Sequence, residues 1–150
     1  MRIVLLEPEI PQNTGSIARL AAATHTPLDL IKPLGFSLED RYLKRAGLDY
    51  WPWVDLTVHE GWQDYLAGPR TGRLVGFSAR ATRSYTRCEY RADDRLLFGK
   101  ETVGLGPEVL AMLGDDVFTI PMTNPNVRSL NISNAVSIVV YEARRQLGLA

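Results

Sequence analysis

Short runs of aliphatic and β-branched residues alternate along the chain with longer stretches in which apolar residues recur at the spacing of a helix. The short runs predict strands at residues 3–6, 28–31, 54–58, 74–77, 96–98 and 117–120. The longer stretches predict helices at residues 14–24, 38–46, 62–66, 107–113 and 132–147. This alternation is typical of βαβ units, and it predicts an α/β fold with a mostly parallel sheet flanked by helices.

Turn chemistry supports these boundaries. Ser37 precedes one helical run, with Asp40 three residues later, and Gly106 places Pro107 at the first position of another. Gly148 stands where a C-terminal cap belongs. In an open α/β sheet, ligands bind beyond the carboxyl ends of the strands, so the loops to inspect are those that follow Leu6, Phe77, Phe98 and Ile120.

The composition is that of an ordinary globular protein. A chain of 150 residues with 45% hydrophobic content fills one core, and we expect residues 1–150 to form a single domain. Lysine plus arginine and aspartate plus glutamate both number 17, so any surface that binds nucleic acid must be local. Cys88 is the only cysteine, which excludes an intrachain disulfide and fits a reducing compartment. No signal peptide or membrane span is indicated, and we therefore expect a cytoplasmic protein with no membrane partner.

The first segment with candidate chemistry comprises residues 7–19, which run from a strand end into a helix. Two prolines stiffen the loop, and Asn13 or Thr14 is expected to cap the helix. Arg19 follows in an apolar neighbourhood, residues 17–23, where an arginine is usually paired or functional. The alternative is a capped helix that bears a solvated arginine.

The second segment comprises residues 96–107, an apolar strand that breaks into a loop with three glycines. Glycine permits a positive φ and lets a ligand approach the backbone closely. Gly99 and Lys100 are not part of a phosphate-binding P-loop, because Asp94 and Glu101 stand where that motif needs glycine and a hydroxyl residue. The alternative is a tight connection between a strand and a helix.

The third segment is the polar loop that joins Ile120 to the last helix. Ser129 or Asn131 is expected to cap this helix. A polar stripe crosses the otherwise apolar helix at Ser133, Ser137 and Tyr141. An amphipathic terminal helix explains most of the segment, but it explains less well why asparagines and serines crowd its start.

Two basic stretches are candidates for an RNA-binding surface. Seven arginines lie from residue 70 to residue 95 against three acidic residues, with two tyrosines among them, although a solvated loop is the alternative. The second stretch groups Arg41, Lys44 and Arg45 with aromatic residues at 50, 51 and 53. Residues 76–80 fail the nucleophile-elbow pattern of hydrolases. Potential metal ligands do not cluster, so we expect no metal.

Together and in this order, the three segments resemble the three motifs of the SPOUT methyltransferases. The matching stretches are Asn-Thr-Gly-Ser-Ile-Ala-Arg at 13–19, Phe-Gly-Lys-Glu-Thr-Val-Gly-Leu at 98–105, and Ile-Pro-Met at 120–122 with Arg-Ser-Leu-Asn-Ile-Ser-Asn-Ala at 128–135. The likeness is greatest to the small branch that methylates the 2′-hydroxyl of the tRNA wobble cytidine or uridine. It implies S-adenosylmethionine as methyl donor, the tRNA anticodon loop as partner, a C-terminal trefoil knot and a homodimer.

The resemblance also implies roles for individual residues. It places the cofactor contacts at Phe77, Gly99, Ile120, Ser129 and Leu130. Arg19 is expected to stabilise the ribose oxygen as negative charge develops on it. Glu101 and Asn131 are expected to orient Arg19 or to complete the pocket. Lys100 departs from the family pattern, because many relatives have proline there.

Three other functions are compatible with the sequence. A different SPOUT target, such as another tRNA ribose or ribosomal RNA, is the nearest of them. A non-catalytic RNA-binding module would keep a basic surface without affinity for the cofactor. A nucleotide-binding α/β protein is the third, but the chain lacks both phosphate-binding motifs.

Overall fold

The computed structural model describes residues 1–47, 50–69 and 71–149. Within these residues, six strands form one sheet: β1 (Arg2–Leu6), β2 (Leu28–Ile31), β3 (Leu56–His59), β4 (Leu74–Phe77), β5 (Arg95–Gly99) and β6 (Val117–Phe118). The α-helices of the same ranges are α1 (Pro11–Thr24), α2 (Arg41–Gly47), α3 (Trp62–Ala67), α4 (Pro107–Leu113) and α5 (Ile132–Gln146). Single turns of 3-10 helix stand at Trp51–Trp53 and Tyr85–Arg87.

All strand pairings in the sheet are parallel, and the strand order is β3-β2-β1-β5-β4-β6. β1 lies between β2 and β5, with Ile3 opposite Leu28 on one side and Leu96 on the other. A parallel sheet is covered on both faces, and its central strands are accordingly buried along nearly their whole length. The predicted α/β fold with a mostly parallel sheet is therefore confirmed.

Alternate residues of the strands build apolar clusters on opposite faces of the sheet. Ile3 and Leu5 of β1 belong to the first cluster, to which α1 and α5 contribute. Val4 and Leu6 belong to the second, to which α3 and α4 contribute. Because each buried side chain of this size contributes about 1.5–3 kcal/mol, this packing on both faces stabilises the central strands.

The loops after β1 and β5 lead to different faces of the sheet. The chain leaves β1 toward α1, whose Ile17, Ala18 and Ala21 join the first cluster. It leaves the adjacent strand β5 toward α4, whose Val109 and Leu113 join the second cluster. The two loops therefore diverge from neighbouring strand ends, which is the place where open α/β sheets bind ligands.

The main differences from the sequence-based expectations concern helix starts. α1 begins at Pro11 and not at residue 14, because proline at a first helical position loses no hydrogen bond and has its φ already set. Asn13 and Thr14 lie inside the helix and do not cap it, so that expectation was wrong. α2 begins at residue 41 instead of 38, and the side chain of Asp40, rather than that of Ser37, accepts the N–H groups at its start.

Other boundaries follow the sequence closely. A proline opens α4, and Asn131 caps α5 by accepting a backbone N–H at 2.9 Å. Gly148 follows α5 with a φ of 69°, as expected of a capping glycine. β6 ends at Phe118 and leaves Ile120 in the following loop, because the backbone there pairs with residues 83–85 instead of with β4.

Candidate functional site

The candidate site lies at the carboxyl edge of the sheet, where the loop after β1 meets the loop after β5. The Glu101 carboxylate accepts hydrogen bonds from the backbone N–H groups of Glu9 at 2.8 Å and Ile10 at 3.1 Å. Ile10 is the N-cap residue directly before α1, and its side chain makes no capping hydrogen bond. Glu101 therefore supplies acceptors near the positive end of α1 from a loop that follows another strand.

Two further contacts join the same loops. The Glu9 carboxylate accepts the N–H of Thr102 at 3.1 Å and its hydroxyl at 2.7 Å, and the hydroxyl bond lowers the pKa of Glu9. Lys100 Nζ lies 2.9 Å from Glu7 Oε2, and this hydrogen bond raises the pKa of Lys100. We call these contacts of residues 7–10 with residues 100–102 the clasp. Lys100 is thus one of its members.

Glycines shape the loop after β5. Gly99 has a φ of 134°, and a Cβ at this position would lie 2.3 Å from the carbonyl oxygen of Leu6 in β1. Lys100 and Gly104 exchange backbone hydrogen bonds of 2.9 and 3.1 Å, which closes the loop into a compact turn. Residue 99 must therefore be glycine because the backbone of β1 passes close to it.

The third segment is tied to the first by two asparagines. Asn131 Nδ2 donates to Asn13 Oδ1 at 3.0 Å, while Asn131 Oδ1 accepts the N–H at the start of α5. Asn13 is buried within α1. The residues before this bond, Ser129 and Leu130, are exposed at the end of the loop. The first segment therefore contacts both of the others, the second through residues 7–10 and the third through Asn13 of α1.

Arg19 is on the exposed side of α1. Its sequence neighbours Ile17 and Ala18 face the apolar core, so the apolar neighbourhood seen in the sequence belongs to the opposite face of the helix. The guanidinium carbon lies 4.7 Å from the centroid of the Tyr50 ring. Arg19 makes no ion pair with any described residue, and neither Glu101 nor Asn131 contacts it. These two residues instead hold the loop and the helix that bear it.

An open cleft of about 400 Å³ lies next to β6, and of the residues expected to bind the cofactor only Ile120 lines it. Phe77 ends β4, is buried and stacks on Phe98 with centroids 4.9 Å apart. Ser129 and Leu130 directly follow one wall of the cleft. The lining combines apolar and polar residues: Ala79, Ala81, Thr119, Ile120, Pro121, Met122, Asn124, Pro125, Val127 and Arg128. Its volume is in the range of sites for small organic molecules, so a cofactor of that kind fits it in size.

Other chemistry finds little support at this edge. No group of three or more potential metal ligands occurs within residues 1–47, 50–69 and 71–149. Cys88 is buried, and burial raises the pKa of its thiol to about 11, so it is not a nucleophile at neutral pH. None of the described helices is long and apolar enough to cross a membrane.

Sequence reasoning missed several contacts of the site. Glu9 and Thr102 are 93 positions apart, and Asn13 and Asn131 are 118 apart, so no local pattern relates them. Tyr50 is separated from Arg19 by the rest of α1, by β2 and by α2. Their stacking therefore depends on how α2 packs on α1. One signal of these contacts was present in the sequence: each of the three motif segments carries polar residues beside an apolar strand or helix.

Known proteins that are similar to this chain in sequence or in structure are RNA methyltransferases. The model of the SpoU rRNA methylase family matches residues 1–141. A relative from Saccharophagus degradans, a tRNA (cytidine(34)-2'-O)-methyltransferase, is 48% identical over 149 residues, which are 99% of this chain and 96% of the relative. A structure solved for the 2-OH methylation of C/U34 on tRNA is 52% identical with a TM-score of 0.92, over 98% of this chain and 95% of that one. An AdoMet-bound rRNA methyltransferase from Sinorhizobium meliloti is 25% identical with a TM-score of 0.85, over 97% of this chain and 56% of that one.

Proposed function

We propose that this chain, which belongs to the SpoU rRNA methylase family, methylates the ribose 2′-hydroxyl of the tRNA wobble nucleotide, a cytidine or a modified uridine, with S-adenosylmethionine as methyl donor. The likeness to tRNA (cytidine(34)-2'-O)-methyltransferase extends over nearly the whole chain and supports this substrate. The structural observation behind the proposal is the meeting of the three motif segments at the carboxyl edge of the sheet.

The cleft next to β6 is the proposed cofactor site. Ile120 lines it, Phe77 ends β4 two residues before Ala79 of the lining, and Gly99 ends β5. Ser129 and Leu130 follow Arg128 of the lining, and we propose that they close the site once the cofactor is bound. S-adenosylmethionine supplies an electrophilic methyl group when it is bound. The remaining task of the protein is to hold the ribose oxygen in line with that group, and alignment of this kind contributes much of the rate of a transfer reaction.

Arg19 is the proposed contact to the substrate. Its exposed side chain rests on Tyr50, and no described residue forms a hydrogen bond or an ion pair with its guanidinium. Such a planar set of donors matches a phosphate, and it stabilises an oxygen on which negative charge develops as the proton leaves. An arginine gives up its own proton only at a large cost, so we favour this role over that of a general base.

Glu101 and Asn131 are proposed to act through the backbone. Glu101 fixes the start of α1 by the clasp, and Asn131 fixes the first turns of α1 through Asn13. Both residues therefore set the position of Arg19 relative to the cleft without touching its side chain. We classify them as positioning residues rather than as catalytic ones.

We also propose a single-domain chain that acts as a cytoplasmic homodimer, with the trefoil knot formed by the segment after β6. A tRNA substrate and a lone reduced cysteine support the cytoplasm. On α5, Tyr141 has 53% of its surface exposed, on the same helix as Ser133 and Ser137, which gives a surface for a second copy. Sedimentation should report about twice the chain mass of 16.8 kDa. A fully active monomer would contradict the dimer.

Mass spectrometry of tRNA nucleosides tests the proposed activity. Purified protein and S-adenosylmethionine are incubated with tRNA from a strain that lacks the enzyme, and a methylated wobble ribose is expected. Methylation at another tRNA position or in ribosomal RNA would change the substrate but keep the chemistry. RNA binding without any cofactor binding in calorimetry would overturn the enzymatic proposal in favour of a binding module.

A further inference from the structure

The segment after β4 carries a local excess of positive charge. Residues 78–92 contain four arginines, Arg80, Arg83, Arg87 and Arg91, and a single acidic residue, Glu89, in a chain whose total charges balance at 17 and 17. All four side chains are exposed. Arg91 lies at the amino edge of the sheet, next to Asp94, whereas Arg80 and Arg83 lie beside the end of β6. We call Arg80 and Arg83 the arginine surface. Arg70, the first of the seven arginines in this region, lies outside the described residues.

The four guanidinium groups have no carboxylate partner within the described part of the chain. Arg73, by contrast, binds Asp94 at 2.8 Å and Asp116 at 3.4 Å, and so has a structural role. Arg83 stacks on the ring of Phe118, with the guanidinium carbon 4.6 Å from the ring centroid. This stacking uses the face of the guanidinium, and no hydrogen bond joins the side-chain N–H groups of Arg83 to a described residue. Asp115 lines the same cleft as Arg80 and Arg83 but forms an ion pair with neither.

The arginine surface projects from a well-anchored backbone. The carbonyl of Arg83 accepts the N–H of Thr119 at 2.8 Å, and the N–H of Tyr85 donates to the carbonyl of Thr119 at 2.8 Å. Further along, Cys88 and Tyr90 are buried, and the Tyr90 hydroxyl donates to the carbonyl of Tyr85 at 2.9 Å. A surface held in this way has less conformational entropy to lose when it binds a ligand.

The arginine surface adjoins the proposed cofactor cleft. Ala79 and Ala81, which flank Arg80, line that cleft together with Ile120. Arg80 and Arg83 themselves line a second open cleft of about 260 Å³, between the loop after β4 and the end of α4. A polyanion bound there would therefore pass close to the position of the methyl donor.

The other basic stretch is partly paired within the chain. Lys44 forms an ion pair with Glu39, while Arg41 stacks on its neighbour Tyr42, 4.7 Å from the ring centroid, and donates a hydrogen bond to the Tyr42 hydroxyl. Arg41 has no carboxylate partner among the described residues, so this stretch is the rival surface for a polyanion.

We propose that the arginine surface binds phosphate groups of the tRNA on either side of the nucleotide that is methylated, an inference that rests on the proposed function. Guanidinium groups match phosphate oxygens in pairs, and they keep their charge at any physiological pH. A protein without net charge lacks a general attraction for RNA, so a local surface of this kind has to supply the binding energy.

The test is a salt titration of tRNA binding to the double variant Arg80→Ala/Arg83→Ala. Each lost phosphate contact lowers the slope of log affinity against log salt by about 0.7–0.9. Two lost contacts at ~0.1 M salt then weaken binding by roughly 25- to 60-fold, if affinities converge near ~1 M salt. Affinity for S-adenosylmethionine should not change. The double lysine variant should keep the slope, since lysine also neutralises a phosphate.

Two controls define the outcome. Arg145→Ala removes an exposed arginine that is already paired with Glu142, and it should leave tRNA binding unchanged. Arg41→Ala tests the rival stretch, and a loss of salt slope there, with none in the double variant, would overturn the proposal. So would tighter binding of a polyglutamate peptide than of tRNA, which would assign the surface to an acidic protein.

Methylation of tRNA by the wild-type protein tests the proposed function separately. If the wild type methylates tRNA and the double variant has wild-type affinity and slope, only the arginine surface is refuted. If the wild type neither binds nor methylates tRNA, both proposals fail.

Discussion

Replacement of Glu101 by alanine removes both acceptors that hold the start of α1 to the loop after β5. These acceptors receive the N–H groups of Glu9 at 2.8 Å and Ile10 at 3.1 Å, at a helix end with no side-chain cap of its own. A lost capping acceptor costs about 1 kcal/mol, and a hydrogen bond to a charged group contributes about 1.5–3 kcal/mol. Because water partly replaces a half-buried carboxylate, we expect the free energy of unfolding to fall by about 2 kcal/mol in total.

A loss of this size lowers Tm by about 4–8 °C for a chain of this length. The effect on methyl transfer should be larger, because α1 bears Arg19 and a displacement of about 1 Å in a positioned group lowers a rate by about 100-fold. Glu101→Gln keeps one carbonyl oxygen as an acceptor, so its rate should fall by about tenfold, or about 1.4 kcal/mol. This partial rescue distinguishes a positioning role from a general loss of folding.

The assay is single-turnover methylation of saturating tRNA, measured beside cofactor calorimetry and thermal unfolding. Glu108→Ala is the matched control, because Glu108 is an exposed acidic residue in the first turn of α4. It should retain the wild-type rate. A wild-type rate in Glu101→Ala would refute the role of the clasp. Equal rates for the alanine and glutamine variants would mean that the negative charge itself acts on the substrate.

Three further predictions address the substrate contact, the cofactor turn and the buried thiol. Arg19→Ala should lower methyl transfer by about two orders of magnitude or more while cofactor affinity in calorimetry stays within a few fold, and Arg19→Lys should recover only a small part; a wild-type rate would make Arg19 structural. Gly99→Val should lower Tm and cofactor affinity together, because its Cβ meets the β1 backbone. Gly104→Ala, whose Cβ would make only an ordinary contact 4.0 Å from the Gly99 carbonyl oxygen at a φ of 67°, should strain the turn and keep the sheet; a stable Gly99→Val would refute this. Cys88, with its pKa raised to about 11 by burial, should react with a thiol reagent at about pH 8 only after denaturant is added. Rapid labelling of the native protein would show that the structure around Cys88 opens.

The sheet was predictable because its physical basis is local. The aliphatic runs of β1, β2 and β5 are buried on both faces, and a parallel sheet produces that pattern. Helix starts were less predictable, because several residues compete for a cap. In α1 the proline at residue 11 prevailed over Asn13 and Thr14, which the sequence alone had favoured.

The site was predictable in its segments but not in its contacts. The three motifs named Glu101 and Asn131, yet both hold backbone and side-chain groups of α1 rather than Arg19. The partner of Arg19 depends on the packing of α2 against α1, which brings Tyr50 beneath the guanidinium. Such contacts arise from tertiary geometry, and the spacing of residues along the chain does not encode them.

The central position of β1 has a consequence for synthesis on the ribosome. One neighbour, β2, is made soon after it, with Leu28 opposite Ile3, but the other, β5, supplies Leu96 only when nearly two thirds of the chain exists. Until then one edge of β1 exposes unpaired backbone groups and buried-type aliphatic side chains, a state that invites association with other chains. Nascent chains stalled before residue 95 should therefore depend on chaperones far more than the released protein does.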